Sequence, residues 1–230
     1  MRSWIDFWNA DHAIYVNDRH KQLHAEAVAR DIARHIPTPA AVVLDYGCGE
    51  AFYAEAIAHQ CSRLILCDAA PKVCAVLAER MSSVRNVDVI EPIGVAQLTD
   101  ASLDLIVVNS VLQYLSHKDL ESLLDLWRVK LKPQGRLVIA DVIPPGVSPI
   151  RDAAALLMFA TRGGFLVPAL TGLVRTALSD YGKIRKSLGF SMYAEREFID
   201  LLARHALMAT RVQPNFGHNQ VRMTFSATRT

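Results

Sequence analysis

The sequence predicts an α/β fold: a mostly parallel seven-stranded sheet with helices on both faces and a C-terminal antiparallel hairpin. Three observations predict it. From Val42 to Asp141, short apolar runs rich in β-branched residues alternate with helix-like stretches. Helical stretches separate most of these runs, as right-handed crossovers between parallel strands require. The last two runs, Ala209–Gln213 and Val221–Ala227, are joined only by residues 214–220. That connection has no room for a crossover helix, so the two strands must pair antiparallel.

Taken in order, the first element is a helix from His20 to His35. Leu23, Val28, Ile32 and Ile36 recur at helical spacing with Arg30, Asp31 and Arg34 between them, and Pro37 and Pro39 stop it. Strands follow at Val42–Tyr46, Arg63–Cys67, Val87–Glu91, Leu105–Asn109 and Arg136–Asp141. Helices fall at Tyr53–His59, Lys72–Arg80 and Lys118–Lys132. The expected organisation is an N-terminal helical lid over 1–36 and a ligand-binding core over 37–145. A helical insertion capping the substrate site over 146–192, then a final helix with the antiparallel pair over 193–230, complete it.

Composition narrows the function. The chain has 230 residues, 51% of them hydrophobic, which suits one elaborated domain with a sizeable core. Its formal net charge is +2, without the basic excess of a general nucleic-acid binder, so no nucleic-acid partner is expected. Met1–Asn9 holds Trp4, Ile5, Phe7 and Trp8, but Asp6 interrupts it and no long apolar stretch follows, so no secretory leader is expected. No run approaches the roughly 18 apolar residues of a spanning helix. Cys48, Cys61, Cys67 and Cys74 lack paired metal-ligand spacing and read as reduced, mostly buried thiols of a cytoplasmic protein. No metal is required.

The first strand runs straight into Asp45-Tyr46-Gly47-Cys48-Gly49-Glu50-Ala51 and then a helix. Glycines let backbone approach a ligand closely, and a helix N-terminus offers unpaired N–H groups. Asp45 inside the turn would repel a pyrophosphate but suits a ligand carrying an ammonium and a sulfonium. The second strand ends in Asp68, about 20 residues on, where a carboxylate can accept from both ribose hydroxyls. The fourth strand is preceded by Asp100–Asp104 and ends in Asn109-Ser110; Leu131–Arg136 forms a turn into the fifth. Singly, each feature has a plainer reading: turn glycines, or Asp68 as a helix N-cap. A dinucleotide dehydrogenase would want G-x-G-x-x-G, which Ala51 and Phe52 do not supply.

As an ordered set these motifs resemble the class I, Rossmann-like S-adenosylmethionine-dependent methyltransferases, in particular the small-molecule branch. The resemblance covers roughly Ala40 to Asp141 and, loosely, the terminal hairpin. It implies S-adenosylmethionine as cofactor, with Asp45, Gly47 and Gly49 at its methionine end. It further implies Asp68 on the ribose, Asn109 on the methionyl part, and Ile93, Gly94 and Val95 beside the adenine. Two positions depart from the family pattern. The third loop glycine is Ala51, and the acidic residue that often follows the third strand is replaced by Gly94, which leaves adenine recognition to backbone amides.

In open parallel sheets ligands bind beyond the carboxyl ends of the strands. That rule nominates Gln113 and Tyr114 after the fourth strand, Asp141 after the fifth, and His218 and Asn219 after the sixth. His218 is either a general base toward the acceptor or an ornament of the hairpin turn; Asp141 either touches substrate or caps its loop. Gln113 and Tyr114 either face the methyl-transfer centre or pack beneath it. Tyr15 and Arg19 either meet the methionine carboxylate from a lid or belong to a solvated helix start capped by Asn17 or Asp18. The insertion carries six basic residues (Arg151, Arg162, Arg175, Lys183, Arg185, Lys186) against Asp152 and Asp180. It reads as a helical cap, a lid over an apolar substrate, a contact with anionic lipid or a dimer interface. The expectation is methyl transfer to an oxygen, nitrogen or carbon of a small, partly apolar molecule, with the oligomeric state open. Its rivals are a cofactor-binding regulator without methyl transfer and a lipid-directed methyltransferase at the membrane surface.

Overall fold

The computed structural model describes residues 8–9, 15–52, 54–178 and 190–230. Tyr53, Asp180, Lys183, Arg185 and Lys186, named above, lie outside the described residues, as does the start of the N-terminal stretch.

Helix α1 (Asp18–Ala33) begins earlier than its apolar spacing suggests, because Asn17 Oδ1 accepts from His20 N at 2.8 Å and caps it. There follow β1 (Val42–Tyr46), α2 (Ala54–Ala58), β2 (Arg63–Cys67), α3 (Pro71–Met81), β3 (Val87–Ile90), α4 (Pro92–Gln97) and β4 (Leu103–Asn109). A 3-10 turn (Leu112–Tyr114) leads to α5 (His117–Lys130), whose cap is the Ser116 hydroxyl, and to β5 (Leu131–Val142). The insertion forms α6 (Pro149–Gly163) and α7 (Leu166–Leu178), broken apart by left-handed Gly164. Helix α8 (Glu195–Arg204), β6 (Leu207–Val212) and β7 (Met223–Arg229) complete the chain.

The seven strands lie in the order β3-β2-β1-β4-β5-β7-β6. All neighbours up to β5 are parallel, while β7 runs antiparallel to both β5 and β6. The mostly parallel sheet and the closing antiparallel pair are those expected from sequence. Two local expectations change. Lys132–Gly135, expected as a turn, continues β5: Leu103 pairs with Leu131 but Leu105 with Arg136, so the extra residues are absorbed as a bulge. Helix α4 went unseen because six residues are too few to show a period.

The strands are apolar on both sides because helices cover both faces. Leu44, Ile65, Ile106 and Ile139 pack toward Trp127 of α5 and Phe198 of α8. Their neighbours Val43, Leu64, Leu105 and Val138 pack toward Ile32, Ile57 and Leu77 of α1, α2 and α3. The insertion adds a small third core, where Ala160, Phe165 and Ala169 meet Val16 and Leu23. Among the described residues, no helix is long and apolar enough to cross a membrane.

Candidate functional site

The strand order reverses direction between β1 and β4, so the loops leaving these neighbours diverge and open a crevice at their carboxyl ends. The loop after β1 is shaped there. Gly47 (φ 73°) and Gly49 (φ 56°) both occupy the left-handed region. Gly47 has a second constraint: a Cβ on it would stand 2.3 Å from Val111 Cγ2 on the loop after β4. Gly49 by contrast has nothing within 4 Å of its missing Cβ. The backbone N–H groups of Gly47 and Cys48 both donate to Cys67 O, at 2.7 and 3.0 Å, tying the turn to the end of β2.

Asp68, immediately after β2, closes this turn. Its Oδ2 accepts from Gly49 N and its Oδ1 from Ala70 N, each at 2.9 Å. Each oxygen keeps a lone pair, so the carboxylate is held in place and remains able to accept further bonds. The helix-cap reading of Asp68 does not hold: the N-cap of α3 is Ala70, without a side-chain cap bond, and Asp68 instead closes a local turn onto Ala70 N. Asp45 is buried beneath, and burial together with the Asp68 charge pushes its carboxyl up to about 7. A cation seated beside this pair would favour the ionised form of Asp45. The Cys48 thiol is raised well above its usual range, mainly by burial, and is not a nucleophile near neutral pH.

Side chains that the sequence reading missed pin the far side of the loop. Arg80 donates to Glu50 O at 2.5 Å and Ala51 O at 2.7 Å. Lys21 of α1 pairs with Glu50 at 2.8 Å and lies 4.2 Å from the Phe52 ring centroid. Arg80 and Lys21 carry no motif of their own; only the packing of α3 and α1 against the loop brings them there. Trp8 and Asn9 were missed likewise. The Trp8 ring packs edge-on against Tyr114, and Asn9 Oδ1 accepts from Lys72 N, so these two residues stand at the crevice rim.

At the ends of β4 and β5, Ser110 (φ 59°) and Asp141 (φ 61°) are both left-handed without being glycine, a strained arrangement typical of functional sites. Ser110 Oγ donates to Asp141 Oδ2 at 2.9 Å. The Asp141 backbone N–H donates to Asn215 Oδ1, which also accepts from Thr224 Oγ1. Burial raises the Asp141 carboxyl, with Arg222 and the Ser110 bond opposing. Nearby on the same loop, Asn109 Oδ1 and Gln113 Oε1 are buried and find no partner among the described residues. Unpaired buried acceptors cost about 1–3 kcal/mol each, and a ligand bearing donors would satisfy them.

His218, in the loop between β6 and β7, lies in an aromatic cluster rather than on a bare turn. Its ring stacks on Phe159 of α6 at 4.6 Å and meets His24 and His20 of α1 at 5.7 and 6.0 Å. Tyr15 packs against His20 and His24. Burial, then the mutual repulsion of the rings, lowers all three histidines to about 4, so all are neutral near pH 7. Their nitrogens do not converge as a metal site would require; no such cluster occurs among the described residues. Asn219 donates to Asp152 of α6 at 3.0 Å, beside the Arg222–Asp152 ion pair.

The remaining expected residues scatter. Ile93 is exposed at the start of α4 and Gly94 is helical, but Val95 is wholly buried in the core with its carbonyl accepting from Leu98 N, so the expected contact of Val95 with a ligand does not hold. Arg19 points to the insertion, donating to Gly163 O at 3.5 Å. Tyr15 stays among the histidines, its phenol raised to about 12 by burial and by Glu50.

Residues 44–139 match the model of a methyltransferase domain. No curated protein sequence matches the chain. Solved structures share the fold at low identity. The N-methyltransferase NodS from Bradyrhizobium japonicum, in complex with S-adenosyl-L-homocysteine, is 19% identical with a TM-score of 0.56, covering 98% of this chain and 96% of that one. Magnesium protoporphyrin IX methyltransferase from Synechocystis is 14% identical with a TM-score of 0.58, over 97% and 92%. The 1,6-didemethyltoxoflavin-N1-methyltransferase of Burkholderia thailandensis is 18% identical with a TM-score of 0.56, over 90% and 78%.

Proposed function

We propose, from the premise that residues 44–139 are a methyltransferase domain, that the chain transfers the methyl group of S-adenosylmethionine to an oxygen, nitrogen or carbon of a small, partly apolar molecule. One observation carries the reading most directly. A carboxylate, Asp68, is locked onto the Gly49 amide at the strand-order reversal, with open space above Gly49. When bound, S-adenosylmethionine supplies a methyl on a sulfonium, a leaving group needing no further activation.

The chain's own groups then have distinct tasks. Asp68 accepts from the ribose hydroxyls with the lone pairs that Gly49 and Ala70 leave free. Asp45 offers negative charge toward the cationic methionine end, close to Gly47 and Gly49. Asn109 Oδ1 and Gln113 Oε1, unpartnered and buried, accept from the ammonium. Ile93 lends its exposed side chain to the adenine, with the backbone of Gly94 beside it. The fit is chemical as well as spatial, since an anionic, acceptor-rich crevice suits a cation and would repel a pyrophosphate.

On the acceptor side, His218, Asp141, Tyr114 and Asn219 are assigned to positioning and proton handling. Near pH 7 neutral His218 accepts a hydrogen bond from an acceptor hydroxyl or amine at Nδ1, which is buried and has no partner among the described residues. Its low basicity favours orienting that proton over removing it outright. Asp141, whose carboxyl burial raises and the Ser110 hydroxyl holds, is assigned to accept that proton. Segments 1–36 and 146–192 are assigned to a lid and a cap. Phe159 of the cap, half-buried and stacked on His218, would give the acceptor side its apolar wall. Two of the named neighbours act on small molecules by their names, 1,6-didemethyltoxoflavin and magnesium protoporphyrin IX, which supports the same class here.

Calorimetry with S-adenosylhomocysteine, followed by product formation across a panel of small phenols, amines and carbon acids, tests the reading. One-to-one binding and turnover of an apolar acceptor are expected. Absence of binding to either form of the cofactor would refute it; binding without turnover of any acceptor would favour a regulator.

A further inference from the structure

Helix α7 is inverted for a helix lying on a protein in water. Its inward positions are small or closely fitted: Ala169 is fully buried, and a Cβ at Gly172 would stand 2.2 Å from Val16 Cγ1. Four of its large apolar side chains point outward instead. Leu166, Val167, Leu170 and Val174 recur along one face and are 40–72% exposed. Packed beside it, α6 turns Leu156, Leu157 and Phe159 inward but leaves Ile150 at 78% and Met158 at 60% exposure. A contiguous run of large apolar side chains kept in water marks a surface meant to be covered.

Charge indicates what covers it. The exposed charged side chains of α6 and α7, among the described residues, are Arg151, Arg162 and Arg175. The one acidic residue of the two helices, Asp152, is turned inward onto Arg222 and Asn219. A second copy of the chain would bring these arginines against their like, whereas an anionic surface would gain from each. We propose that the outward face of α6 and α7 docks on an anionic lipid surface, the apolar side chains entering the headgroup boundary and the arginines meeting lipid phosphates and carboxylates. Neither helix can span a bilayer, so both lie along its surface. Docking would bring the acceptor side, whose His218 stacks on Phe159 of α6, close to molecules dissolved in the membrane. The inference stands apart from the methyl-transfer reading.

Sedimentation of the full chain with phosphatidylcholine vesicles, with and without about one third phosphatidylserine, tests it. The chain is expected to bind the anionic vesicles at least about tenfold more tightly, and less so as salt rises. Leu170→Glu with Val174→Glu should reduce that binding by about tenfold or more, and Arg151→Gln, Arg162→Gln and Arg175→Gln together by several fold. Thermal melting should be unchanged in both variants, since every substituted side chain is exposed. A folded chain that ignores anionic vesicles, binds both kinds equally, or keeps its binding with two glutamates on α7 overturns the proposal. So does a dimer in light scattering that those glutamates dissolve, without vesicle binding. Failure to bind S-adenosylhomocysteine would instead strike at the methyl-transfer reading and leave this one standing.

Discussion

Replacing Asp68 with alanine separates the two tasks of its carboxylate. Without ligand it fixes the turn by accepting from Gly49 N and Ala70 N. Charge-assisted bonds of this kind contribute about 1.5–3 kcal/mol each, but Asp68 is only half-buried and its loss relieves the repulsion that raises Asp45. The net loss of stability should therefore be modest, about 1–3 kcal/mol in a chemical melt. With ligand, the same substitution removes two acceptors for the ribose hydroxyls, about 3–6 kcal/mol, or two to four powers of ten in Kd. Calorimetry with S-adenosylhomocysteine near pH 7.5 reads the second quantity directly. Asp68→Asn, which keeps one acceptor oxygen, should fall between. A Kd for the alanine variant within about threefold of the unsubstituted chain, with the fold intact, would refute the assignment of Asp68 to the ribose.

Gly47→Ala should lower stability by about 2–4 kcal/mol, because it adds a Cβ at φ 73° and drives it into Val111; a melting temperature within a degree of the parent would contradict this. Asp45, at about 7 when folded and near 3.8 in the open chain, binds its proton more tightly in the native state. Its contribution is therefore present at low pH and lost as pH rises toward and through 7, so Asp45→Asn should make the unliganded protein more stable at pH 8, on the order of 2–4 kcal/mol, while weakening cofactor binding. Denaturant melts at pH 5 and pH 8 check the sign. The histidines run the other way: lowered to about 4, they stabilise above about pH 6.5 and lose that contribution as pH falls toward 4, a loss that His24→Phe should reduce. Exchanging His218 for Gln should lower turnover with little change in S-adenosylhomocysteine affinity; equal losses in both would assign His218 to the cofactor instead.

Legibility followed the range of the interactions. Strands β1 and β2 match their expected limits because a buried parallel strand is a continuous apolar run bounded by polar or turn residues. Asp45, Gly47, Gly49 and Asp68 were readable since spacing along one β-turn-helix unit constrains them. The bulge at Lys132–Gly135 was not, because it depends on how β5 pairs with β4. Lys21 and Arg80 were invisible for the same reason: an ordinary helix cation acquires a role only from the loop packed against it.

The sequence by itself determined the order of strands and of every helix but α4, the antiparallel closure and the glycine turn, all consequences of local periodicity and chain length. The tertiary structure decided what those pieces enclose. Only the sheet order brings Val111 against Gly47, joins Ser110 to Asp141, and gathers His20, His24, Phe159 and His218 from three distant segments. It also left four large side chains of α7 facing outward, a choice the helical period permits in either direction and that packing against Val16 settles. Burial and proximity set the charge on Asp45 and the histidines, and neither is a property of a residue until the chain has folded around it.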